Sequence, residues 1–147
     1  MPSHIDVRLG RWSESIIANE KAIAADRAYR QLVPEQGFYR TYMAHNHHLL
    51  AYAAMMQGRS ARATQAVTDM LAEIPSEFIE RHAPLVDGFF AMPYELMIRF
   101  GRWDDLLAAP EPVASLPIAR AMRLYGRGVA RAAQGNPQAA RGEQTAF

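Results

Sequence analysis

An all-α fold of antiparallel helical hairpins is predicted by three observations. Half of the 147 residues are apolar, and Ala, Leu, Met and Arg, all good helix formers, abound while β-branched residues are sparse. No segment alternates apolar and polar residues over a strand's length between turn signals. One phrase recurs: Leu9-Gly-Arg-Trp-Ser, Gln57-Gly-Arg-Ser-Ala, Phe100-Gly-Arg-Trp-Asp and Gln134-Gly-Asn-Pro-Gln. Gly10, Gly58, Gly101 and Gly135 are 48, 43 and 34 residues apart, and each stands where one helix stops and the next begins.

The elements follow in order. A first helix of barely two turns runs from about Ser3 to Gly10, and the next spans 13 to 32, with Ser13 as its expected cap. Pro34 and Gly37 break the chain and leave Phe38 and Tyr39 ahead of the following helix. That helix, Tyr42 to Gly58, carries apolar Leu49, Leu50, Ala53, Ala54 and Met56 at three- and four-residue spacing. Ser60 is the expected cap of a helix that ends at Pro75, and a short helix Ser76 to His82 precedes Pro84. His82 suits that short helix's negative C-terminal end. Past Gly101, Asp104 is the expected cap, and Asp105 adds charge where the helix dipole favours it. Asn136 and Pro137 read as a capping residue with proline in the first turn. One domain, 1–147, is the default for this length.

These corners resemble the tetratricopeptide repeat family, whose unit is a pair of antiparallel helices around a Gly-x-aromatic turn with small residues at the crossing. Gly10 and Trp12 match the turn, Ala22 the crossing and Asp26 the end of the second helix. Ala63, Met70 and Pro75 fit the next unit, Gly101 and Trp103 repeat the turn, and Gly128 and Gly135 mark the last unit. The resemblance implies a right-handed solenoid of about four hairpins in which first helices line a concave groove. Trp12 and Trp103 are then wedges between hairpins rather than ligand platforms. Both ends look cut, so a fragment of a longer array, or a homodimer formed through the truncated ends, is expected. The resemblance extends to a bacterial subgroup in which a His-Asn-x-His segment recurs, here His45, Asn46 and His48; no reaction comes with it.

Measured from the corner glycines, one phase gathers the candidate site. Six residues before each lie His4, Tyr52, Glu95 and Val129; His48 lies ten before, and His45 thirteen before, Gly58. The family's groove faces those offsets, while His47 is rotated onto the packing flank. The interaction reading has the groove bind a peptide or protein partner through Tyr52, Met55, Glu95, Arg99 and the histidines. The metal reading has His4, His45 and His48 hold a divalent transition ion, zinc or iron, with Glu95 or Asp6 as a further ligand or base. Clustered histidines are also common as plain polar lining.

Composition excludes much else. A net charge of +1 argues against nucleic acid, and Arg120, Arg123, Arg127 and Arg131 read as a solvated basic face. Without cysteine there is no disulfide or thiolate, and no apolar run reaches a membrane span, so a cytoplasmic protein is expected. Phosphate loops are absent, the sole lysine being Lys21, and no serine sits in a nucleophile elbow.

Overall fold

The structure is a computed structural model and describes residues 2–147. Among these residues there are eight α-helices and no strand: α1 (Pro2–Arg8), α2 (Trp12–Leu32), α3 (Arg40–Met56), α4 (Ser60–Ala72), α5 (Ser76–Arg99), α6 (Trp103–Ala108), α7 (Pro117–Ala133) and α8 (Pro137–Ala146), with a 3-10 turn at Gly37–Tyr39. The chain divides into two compact units, the first running up to Ser76 and the second being Glu77–Phe147.

The four recurring phrases make the same corner. Gly10, Gly58, Gly101 and Gly135 have φ of 70°, 71°, 64° and 77°, a left-handed conformation that side chains with a Cβ resist. The N–H of the residue after each glycine closes onto the carbonyl five residues back: Arg11 to Asp6 at 2.8 Å, and Arg59 to Ala54, Arg102 to Met97 and Asn136 to Arg131 at 2.9 Å. Each glycine N–H bonds three residues back, which completes a Schellman motif. A single residue therefore separates α1 from α2, α3 from α4, α5 from α6 and α7 from α8, counted from each glycine. That residue is the N-cap of the second helix.

This overturns the expected caps. Ser13, Ser60 and Asp104 lie inside their helices, whose N-cap positions are Arg11, Arg59 and Arg102 with no side-chain cap bond. Only Asn136 caps as expected, its Oδ1 accepting from the Ala139 N–H at 3.0 Å. The tightness of the corner is the reason: no residue remains between the glycine bond and the next helix to bring a serine into register.

In the first unit α1 packs on α2, α2 on α3 and α3 on α4. Ile16, Ile23, Met43, Leu50, Val67 and Met70 are buried there, and Ala44, Ala51, Ala53, Ala63 and Ala66 let the helices approach closely. Polar anchors fix the packing. Asn46 of α3 donates to Asp26 of α2 at 2.7 Å, and Arg30 of α2 pairs with Glu73 just beyond α4.

The second unit has its own core of Ala83, Tyr94, Leu106, Leu116, Ala119 and Ala130. α5 breaks at His82 (φ −135°, ψ 25°), because Pro84 lacks an N–H and crowds the preceding turn. The short helix read from Ser76 to His82 is the segment before this kink. Phe78 and His82 meet beside it with ring centroids 4.6 Å apart and planes tilted by 46°. Gly126 of α7 faces Ile98 of α5 and Leu106 of α6, where an added Cβ would stand 3.1–3.2 Å from their methyls. No helix among the described residues is long and apolar enough to cross a membrane.

Candidate functional site

The centre of the candidate site is the outer stripe of α3. Buried residues Met43, Asn46, His47, Leu50 and Ala54 hold one side of this helix against α2 and α4, which turns Tyr42, His45, His48, Tyr52 and Met56 outward at three- and four-residue steps. Tyr42, Tyr52 and Met56 are 54%, 36% and 41% exposed. Between Arg40 and Arg59 the sequence has no Asp, Glu, Lys or Arg, so this solvent face carries aromatic, imidazole and thioether groups where a surface helix ordinarily carries charges.

The structure brings His4 and His45 together. The α1 helix, docked on α2 through buried Ser3 and Asp6, presents His4 so that its Nε2 lies 3.1 Å from Nε2 of His45. The ring centroids are 5.1 Å apart and the planes differ by 26°. His48 follows on α3 with its centroid 6.0 Å from that of His45 at 67°. Burial pushes the pKa of His45 below the usual histidine range and the neighbouring His4 lowers it further; burial does the same to His48, with His45 adding to it. Both effects favour neutral imidazole. As the side chains stand, no group of three or more His, Asp or Glu among the described residues is arranged to hold a metal ion.

His47 lies on the packing flank, as its phase predicts, and is only 3% exposed. Its Nε2 is 3.9 Å from Glu73, and burial lowers its pKa more than Glu73 raises it. Asn46, the middle of the His-Asn-x-His segment, is an anchor onto Asp26 rather than part of the open face.

Aromatic rings extend the stripe at both ends. Tyr42 meets Phe38 edge-on at 6.3 Å and Tyr39 at 5.8 Å, and Tyr39 meets Tyr29 at 5.7 Å. Tyr39 also donates to Asp26 at 3.3 Å; burial first, and that carboxylate second, raise its pKa. At the other end Trp12, half-buried, sets its ring edge-on to Tyr52 at 6.1 Å.

Of the remaining candidates, Met55 is 6% exposed and packs in the core, the exposed methionine here being its neighbour Met56. Glu95 and Arg99 belong to the second unit. Glu95 is half-buried on α5, and burial raises its carboxyl pKa; Arg99 is exposed. The arginines of α7 mostly fasten their own unit: Arg120 pairs with Glu111, Arg123 donates to the Ala109 carbonyl at 3.1 Å, and Arg127 pairs with Glu143 at 2.8 Å while donating to the Leu107 carbonyl.

Sequence reasoning passed over Asp87, whose carboxylate accepts from the N–H of Ile118 at 2.7 Å and of Ala119 at 2.9 Å, capping α7 from α5. Its signal is a carboxylate four residues after buried Ala83 and four before buried Ala91, on the helix's inward face. Compared with protein-family models, with curated proteins and with solved structures, the chain matches none.

Proposed function

We propose that the chain is an interaction module built from tetratricopeptide-like repeats, and that it binds a peptide or protein partner on the outer face of α3. The observation that carries this reading is the uncharged aromatic stripe Tyr42, His45, His48, Tyr52 and Met56, continued by Phe38 and Tyr39. Tyrosine offers a large, stiff contact area with a polar end, and it dominates binding energy where it is desolvated at an interface. Exposed rings in mutual contact along a helix face that lacks fixed charge are what a partner would cover. The repeated glycine corner supports the family part of the reading, because the same backbone turn recurs at all four phrases, three of them Gly-Arg. The complementary ligand is a segment with aliphatic side chains laid along α3, its polar groups meeting the tyrosine hydroxyls and imidazoles.

Selection of a displayed peptide library on the full chain, followed by fluorescence polarisation of the enriched peptides, tests this. Replacing Tyr42 and Tyr52 together by Ser should weaken their binding at least about tenfold, ~1.4 kcal/mol, with helix content unchanged. Enrichment no better than on a blank surface, or equal binding by the double variant, would overturn it.

A further inference from the structure

We propose that His4 and His45 are two ligands of a divalent transition-metal site, with His48 as the third. The inference goes beyond the peptide-binding reading and does not depend on it. It stands on the approach of two imidazoles from different helices. With metal–nitrogen bonds of about 2.0–2.1 Å, two nitrogens 3.1 Å apart subtend about 98° at a shared ion, between the octahedral and tetrahedral angles. Two rings bound to one ion through ring nitrogens can have centroids at most about 6.4 Å apart, a reach set by those bonds and the ring size. The His45 and His48 centroids, at 6.0 Å, would subtend about 140° at a shared ion, so His48 completes the set by a change of rotamer that brings its ring closer to His45.

The surroundings suit an ion with open positions. The α3 face brings no lysine or arginine to the cluster, and beside His4 a cavity of about 280 Å³, lined also by Ile5, Val7, Arg8 and Leu49, leaves room for water ligands. Three imidazoles without thiolate or carboxylate select zinc, nickel or copper over magnesium and calcium. In the absence of metal one Nε2 donates its proton to the other. When the ion binds, that imidazole shifts its N–H to Nδ1, both Nε2 lone pairs turn to the ion, and a neutral pair releases no net proton. The ion then ties α1 to α3.

Titration of the full chain with Zn²⁺, Ni²⁺ and Cu²⁺, followed by calorimetry and thermal unfolding, tests the site. One equivalent should bind and raise the Tm, and Mg²⁺ should not compete. His4→Gln and His45→Gln should each lower affinity at least about tenfold, and His82→Gln, in the other unit, should leave it unchanged. In the wild-type chain, paramagnetic Ni²⁺ or Cu²⁺ should broaden the imidazole resonances of His4, His45 and His48 before those of His47 and His82, a readout that needs no variant to fold. Absence of saturable binding, affinity retained without His4 or His45, or broadening first at His82 would overturn the site. The Tyr42→Ser, Tyr52→Ser variant should keep full metal affinity, so loss of peptide binding and loss of metal binding are read separately.

Discussion

Asp87 stands at the spacing of buried Ala83, Ala91 and Tyr94 yet carries a carboxylate, and its oxygens meet the two N–H groups that open α7. The N-cap position of α7 is Leu116, which offers no side-chain acceptor, so the cap arrives from another helix. Asp87→Ala should cost about 1–3 kcal/mol in urea unfolding, since the two N–H donors would lose their acceptor and that of buried Ala119 would be left without one. Asp87→Asn, which keeps one acceptor oxygen, should cost less. Glu95 behaves oppositely. Burial raises its folded pKa, so whatever stability its proton confers is present below the unfolded value near 4.5 and is lost as pH rises through the folded one. Glu95→Gln should therefore unfold at higher temperature than wild type at pH 7, and the difference should vanish near pH 4. An unchanged difference at both pH values would show that burial does not raise this carboxyl's pKa.

At the scale of the element, the corners were legible because glycine at a left-handed position has few substitutes, and four copies of one phrase announced one turn. The caps were not legible. Ser13, Ser60 and Asp104 are good capping residues, but the bond from the residue after the glycine leaves no place for them. The conformation makes a sharp contrast. Gly58→Ala should cost about 1 kcal/mol or somewhat more, because alanine resists φ of 71°, whereas Gly142→Ala, within α8 and with nothing near its Cβ, should gain about 0.5–1 kcal/mol from helix propensity. Gly126→Val should cost about 1–3 kcal/mol, because the methyls of Ile98 and Leu106 already stand at contact distance. Chemical denaturation of the three variants under one condition checks all of these. Shared phase placed His4 beside His45, since offsets from two identical corners carry to neighbouring helices. It said nothing of ring orientation, which depends on rotamers that spacing does not encode. For the same reason the partner lists of Asp26, Glu73 and Asp87 were invisible: each reaches a helix far along the chain.

For the molecule as a whole, a net charge of +1 and arginines engaged by Glu111, Glu143 and carbonyl oxygens leave little field for a polyanion. The chain should pass through heparin unretained at about 0.15 M salt, where Debye screening is about 8 Å. Retention under that condition would contradict the assignment of the α7 arginines. The corners have a consequence for ancestry. Each is closed by bonds spanning no more than five residues, so a stretch copied or deleted between two glycines brings or removes its bend intact. Descendants of such a gene can lengthen or shorten by whole helix pairs without redesigning any junction they keep.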